Sequence, residues 1–344
     1  MEVDLDHGKV EKRLIAPERE KSEASMNGVP AAAAERTFTT ESRLPRRLLA
    51  FLFFIAVLIA SFAGPLVSLA IHAAGSELHS HVLLIPFVAA YLIYIRREQL
   101  PKEYGSSPGW AAVPLLGGLA ALAAALWQNP SLSHNDYLAL MALSFVFLLA
   151  AGGFLFLGRK WMTTVAFPFV FLIFMVPMPD AMADALETAS KLASAEAASF
   201  FFNITGTPVL RDGRVFQLPN IVIEVAQECS GIRSSWVLFI TSLLAANLFL
   251  RSAWRRVVLV CFVIPLGIVR NGFRVWVIGA LCIRFGPQML HSIIHRRGGP
   301  TFFVLSLIPL FLLLLWLHRG EVRKAAAVFR GGSSGGYGAI ESEQ

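Results

Sequence analysis

Charge is what this 344-residue sequence has least of: only 15% of its residues are Asp, Glu, Lys or Arg, against about 25% in soluble domains. That deficit, with 56% apolar residues, excludes an ordinary soluble enzyme, a disordered chain and a nucleic-acid-binding module. Cysteine is equally sparse. The three thiols, Cys229, Cys261 and Cys282, cannot build a disulfide scaffold. No internal repeat is visible of the kind many transporters carry, and no His-Glu-x-x-His block stands anywhere in the chain. What the sequence does have is long apolar runs and a net charge of +7. Lys and Arg collect in the cytoplasmic loops of membrane proteins, which accounts for the basic excess. The expected fold class is therefore all-α, a multi-pass transmembrane helical bundle.

Measured against the roughly 20 residues that span a bilayer, the apolar runs fall near 48–73, 80–95, 110–127, 137–157, 161–178, 235–250, 255–281 and 301–317. Loop charge checks this division independently. Arg96, Arg97 and Lys102 follow the second run, Arg159 and Lys160 the fourth, Arg251, Arg255 and Arg256 the sixth, and Arg319, Arg323 and Lys324 the eighth. The alternate short loops 74–79 and 128–136 hold no Lys or Arg. About eight spans with both termini cytoplasmic satisfy the pattern. Residues 1–47, with nine acidic and nine basic side chains, read as a disordered cytoplasmic tail rather than a cleaved signal peptide. Residues 48–317 form the membrane domain, and 318–344, ending in a Gly/Ser stretch, read as a flexible cytoplasmic tail.

The same topology makes 179–234 extracytoplasmic. Its first part, Ala181 to Phe202, spaces Asp184, Glu187, Lys191 and Glu196 among Ala, Leu and Phe, as an amphipathic helix on the membrane surface or capping the bundle does. Arg211-Asp212-Gly213 reads as a turn, and Val215–Leu218 and Ile221–Val225 as short strands.

Polar residues that a bilayer should exclude carry the functional signal. Glu228-Cys229-Ser230-Gly231-Ile232-Arg233 stands at the outer mouth of the sixth run. A cysteine at a helix start meets the positive end of the helix dipole, which favours the nucleophilic thiolate, and Arg233 adds positive charge. The competing reading, a buried thiol acting as a small hydrophobe, suits Cys261, which lies among Val and Leu. Arg270-Asn271-Gly272-Phe273-Arg274 lies in the seventh run. At 1.5 Å per residue, Arg274 is about 28 Å from Arg255, at the depth of Cys229. Arg270 and Arg274 share a helix face. Arg274 can snorkel to the outer headgroups, whereas the deeper Arg270 needs a partner. His291 and His295, four apart just before the eighth run, are either metal ligands, structural hydrogen-bonders or catalytic bases. His72, His79, His81 and His134 read as interfacial. Thiol, guanidinium and imidazole thus converge on one membrane face, and Cys plus His is the minimal set for thiol acyl transfer.

These blocks resemble the exosortase/archaeosortase family: Cys229-Ser-Gly-Ile-Arg233, Asn271-Gly-Phe-Arg274, and His295-Arg-Arg-Gly-Gly299 leading to Phe302-Phe303, in that order across residues 48–317. Pro300 stands where the family has an aromatic. The resemblance implies an integral-membrane cysteine protease or transpeptidase of the cytoplasmic (inner) membrane, its active site facing the periplasm or exterior. It implies Cys229 as nucleophile, Arg274 as oxyanion or substrate stabiliser and His295 as general acid/base, with Arg233, Arg270, Asn271 and His291 as supporting candidates. No cofactor and no metal is expected. The implied substrates are exported proteins whose C-terminal sorting signal joins a short Pro-Glu-Pro-like motif to a transmembrane tail. The acceptor is water, a surface polysaccharide or a lipid. The partners are then the substrate and the bilayer, not nucleic acid. The rival readings are a transporter, which intramembrane Arg would suit, a metal-dependent membrane hydrolase using His291 and His295, and an inactive assembly scaffold.

Overall fold

The computed structural model describes residues 45–76, 78–128, 131–218, 221–224, 231–286, 288–289 and 293–333; the side chains of residues 221, 293–300 and 325–333 are outside the description. The chain is an all-α bundle with one small sheet. Five helices are long and apolar enough to cross a membrane, and up to seven spans result if each of two bent pairs is one span. The five are α4 (Pro108–Trp127), α5 (His134–Phe156), α9 (Ile232–Phe249), α10 (Ala253–Phe285) and, within α11 (Ile293–Ser333), the stretch Thr301–Lys324. The segment expected near 80–95 is a 3-10 turn over Ser80–Leu83 followed by the eleven-residue α3 (Ile85–Ile95), which is short for a span by itself.

Proline explains both bends. α1 (Arg46–Ser61) and α2 (Ala63–Gly75) meet at 70°. The ring of Pro65 would collide with the carbonyl four residues back, at Ser61, where α1 stops. Pro168 stands in the same relation to Thr164, where α6 (Arg159–Thr164) yields to α7 (Ala166–Phe171) and a 3-10 turn over Leu172–Met175. Pro177 and Pro179 then hold the chain extended. It turns 88° into α8 (Asp180–Ile204), the helix expected from the Ala181–Phe202 pattern.

Hydrogen bonds sort the bundle into two ends. At one, Arg96 donates to Thr164 O at 3.2 Å and to Asn247 Oδ1 at 2.7 Å, tying α3 to α6 and α9. Arg255 donates to Leu317 O at 2.7 Å. Glu321 accepts from the backbone N–H groups of Arg251 and Ser252, at 3.0 and 2.7 Å, and so caps α10 from α11. The basic loops noted in the sequence gather here. At the opposite end Asn135 donates to Met178 O and Asp180 Oδ1, both at 2.8 Å, joining the starts of α5 and α8. Trp236 Nε1 donates to His81 Nε2 at 3.3 Å.

α4 and α5 form an antiparallel hairpin, since Ser107 N bonds Phe154 O while Ser144 Oγ donates to Gly118 O. α8 and α9 flank α10. A Cβ added at Gly272 would lie 2.4 Å from Ala197 Cβ, and one at Gly279 2.6 Å from Phe202 Cζ, so the backbones of α8 and α10 lie nearly in contact. Beyond α8, β1 (Leu210–Asp212), β2 (Val215–Leu218) and β3 (Ile221–Glu224) form an antiparallel sheet in that order, Phe216 pairing with Arg211 and Ile223. The turn falls at Gly213-Arg214, one position later than expected, with Gly213 at φ +57°. Phe216, Leu218 and Ile223 pack with Ala195, Ala198, Phe202 and Val275 in a small core of their own. Arg211 secures the sheet to α8 through Glu196 at 2.7 Å.

Two expectations need correction. α11 does not end near residue 317 but continues as helix to Ser333, so the expected flexible tail begins ordered. Ala, Glu, Lys and Arg after Gly320 are good helix formers, and Glu321 has a partner to hold. Cys261 is exposed on the outside of α10 and is not a buried hydrophobe.

Candidate functional site

The site builds outward from α10. Arg270, Asn271 and Arg274 are all buried, at 7%, 2% and 8% exposure, on the flank that meets α8 and α9. Each would be expensive there without a role or a partner. Asn271 Nδ2 donates to Ser194 Oγ of α8 at 2.8 Å, and Ser194 is fully buried. Arg270 Nη2 donates to Ser235 Oγ at 3.1 Å and to Gly231 O at 3.2 Å, both on α9. Its Nη1 is buried without a hydrogen-bond partner among the described residues. Among the described residues, the partner that Arg270 needs is thus the start of a helix.

Gly231 is the N-cap of α9 and has φ +66°, a left-handed geometry that costs other L-residues roughly 1–2 kcal/mol. It also lacks room. A Cβ there would lie 3.0 Å from Asn271 Oδ1 and 3.2 Å from Arg270 Nη2. The Cys-Ser-Gly block and the Asn-x-x-Arg block are therefore in direct contact at Gly231. Close packing one turn below keeps them so, because a Cβ on Gly267 would lie 2.7 Å from Ser235 Oγ.

Arg233 is exposed in the first turn of α9. Cys229 and His291 lie outside the described residues, as does the side chain of His295. His295 itself belongs to α11, seven residues before Phe302. The ring of Phe302 meets that of Phe273, next to Arg274, with centroids 6.3 Å apart. Two helical turns, about 10 Å along α11, separate position 295 from that contact. Cys282 is buried on α10.

Two residues of this site were not singled out from the sequence: Ser194 and Ser235. Their signal was present, since each is a small hydroxyl on a helix packed against the Arg270–Asn271 pair. A serine in such a place is easily taken for a neutral small residue.

A second polar cluster lies at the same end of the bundle. The His72 ring is 5.4 Å from that of His79 and 5.9 Å from that of His134. His79 Nδ1 bonds Ser76 Oγ at 3.1 Å. Burial, then the neighbouring His72 and His81, push the His79 pKa down from 6.5 to about 4, against a smaller opposing pull from Asp180. Burial also lowers His81, with the Leu78 carbonyl opposing. Both rings are therefore neutral near pH 7, which matches His81 accepting the Trp236 N–H. Among the described residues no group of three or more His, Cys, Asp or Glu is placed to hold a metal ion.

Residues 72–312, more than two thirds of the chain, match the family described as Transmembrane exosortase (Exosortase_EpsH). No curated protein and no solved structure matches.

Proposed function

Because the chain belongs to the transmembrane exosortase family, whose general work is the processing of sorting signals, we propose that it is a membrane cysteine protease or transpeptidase acting through Cys229. The observation that carries this reading is the contact of Gly231 with Arg270 and Asn271. Gly231 follows Cys229 by two residues, so the guanidinium pair of α10 and the thiol block share one locus. The basic end of the bundle, holding Arg96, Arg255 and Arg256, faces the cytoplasm by the positive-inside rule. The locus then faces the exterior, with up to eight passes when α3 is counted and both termini inside.

The chemistry runs as follows. His295 takes the thiol proton, and the Cys229 thiolate attacks the scissile carbonyl carbon. Negative charge develops on the carbonyl oxygen, where the Arg274 guanidinium stabilises it. Collapse breaks the C–N bond as His295 returns the proton to the leaving amine, leaving an acyl-thioester. Water, or an amine or hydroxyl of a surface acceptor, then attacks the thioester and regenerates the thiol. Arg270 and Asn271 position the cysteine loop and need not touch substrate. The substrate is an exported protein presenting its C-terminal signal at the outer face, with its own transmembrane tail docked against the bundle.

The test is in-cell processing of a tagged protein bearing a candidate sorting tail. Wild type should shorten it; Cys229→Ala, Arg274→Ala and His295→Ala should leave it full length at normal membrane levels, and His291→Ala should retain much of the activity. Equal shortening by Cys229→Ala would remove the thiol mechanism. Trapping an acyl-enzyme on Cys229 decides the case in which the chosen tail is not cut at all.

A further inference from the structure

At the basic end, α10 and α11 leave a cavity of about 420 Å³ between them. Arg255, Arg319 and Arg323 line it together with Trp254 and Trp316, while Leu312 extends it along α11. Arg255 is buried to 5% exposure. One of its guanidinium nitrogens donates to Leu317 O, and the guanidinium lies 5.4 Å from the centre of the Trp254 ring. Arg319 and Arg323 are exposed, one turn apart on α11. The nearby carboxylate, Glu321, accepts from the backbone N–H groups of Arg251 and Ser252 and interacts electrostatically with Arg255, so one negative charge stands against three guanidinium groups and the cluster stays net positive. Trp254 and Trp316 are 55% and 68% exposed, and Leu312 is 60% exposed.

We propose that this cavity binds the headgroup of an anionic phospholipid. Three guanidinium groups around one opening suit a phosphodiester, which accepts paired N–H bonds from a planar fork. Two exposed tryptophans flanking it place the opening at the level of the bilayer headgroups, and basic pockets between transmembrane helices are suited to such lipids. The exposed leucine face of α11 leads from the arginines toward the hydrocarbon, where the acyl chains continue. A soluble anion would use the arginines but have no need of that face. The site lies at the opposite end of α10 from Arg274 and is independent of the proposed chemistry there.

The experiment uses the purified full-length chain, delipidated and offered phosphatidylglycerol or phosphatidylcholine, with retained lipid counted by native mass spectrometry. Phosphatidylglycerol should be retained at least about 30-fold more strongly, and R319Q/R323Q should lose about that factor, the fold-change to which two arginines at about 1 kcal/mol each amount. Both positions are exposed, so the variant keeps the fold. K102Q/K160Q, with the same loss of charge at exposed positions elsewhere, should retain the lipid as wild type does. Equal retention of phosphatidylcholine would overturn the proposal, and so would an equal loss in K102Q/K160Q. Displacement of phosphatidylglycerol by millimolar inorganic phosphate would assign the arginines to a soluble anion and overturn the lipid assignment.

Discussion

α10 buries an arginine at each of two levels, about 22 Å apart along its axis, and the two are held in unlike ways. Arg255 donates to the carbonyl of Leu317 near a helix end and lines an open cavity with two more arginines. Its neighbour Gly320 is helical, and a Cβ there would meet only the flexible guanidinium at 3.2 Å. Arg270 donates to the carbonyl and hydroxyl of a helix start, has a second arginine one turn away, and touches a glycine whose φ is +66°. The first arrangement can adjust, since its parts are side-chain ends facing an opening. The second is fixed by backbone geometry on one side and by the buried Asn271–Ser194 bond on the other. Preorganised charge at a position that tolerates no movement is what stabilisation of a transition state requires, whereas the yielding arrangement suits a ligand that varies in shape.

Substitutions at the two ends should separate sharply. Arg274→Lys should lower sorting-tail processing by about 100-fold or more, because an ammonium does not reproduce the planar fork. Arg255→Lys should change processing by no more than a few-fold, and comparable losses on immunoblots of the processed substrate would break the distinction. Next in size, Gly231→Ala should reduce stability by about 1–2 kcal/mol from the left-handed geometry alone and reduce processing with it. Gly320→Ala should be neutral or gain up to about 1 kcal/mol of helix propensity; thermal melting in detergent compares the pair. Asn271→Ala should cost about 1–3 kcal/mol by leaving Ser194 unsatisfied. Adding Ser194→Ala should then cost less than its own single effect, a coupling that a double-mutant cycle reads.

The smallest expected effect is one of pH. His79 has its pKa lowered from 6.5 to about 4 in the folded chain, so between those values the unfolded chain binds more protons. Stability should therefore be full above pH 6.5 and decline as pH falls toward 4. The charged and titratable groups facing His79 are His72, His81 and Asp180. His79→Gln should flatten the melting temperature over that interval, and an unchanged slope would place the acid sensitivity elsewhere.

Much of the architecture was legible because it depends on period and composition. Apolar length located the helices, alternation located β2 and β3, and the acidic and basic spacing of Ala181–Phe202 located α8. The arginines of α10 were legible as anomalies, since nothing in a lipid-facing stripe explains two guanidinium groups and an amide. What pairs with them was not. Ser194 lies 77 residues from Asn271 in sequence, and only tertiary packing makes it a partner. The 70° bend after Ser61 follows from Pro65 four residues downstream, and the 88° turn between Met175 and Asp180 from Pro177 and Pro179, local rules that apolar length overrides in reading residues 48–73 and 161–178 as single spans. The continuation of α11 to Ser333 was hidden for the opposite reason. The Gly/Ser run after Arg330 drew attention from the helix-forming residues before it.

Cys261, on the outward face of α10, has a practical consequence for labelling. A membrane-permeant maleimide can reach it without entering the site, so a mass shift of one adduct would not by itself locate the nucleophile. A charged, water-borne methanethiosulfonate seeks thiolates in an aqueous setting and should pass Cys261 by. Reagent polarity, in a Cys261→Ser background and its parent, therefore separates a reactive thiol from a merely accessible one.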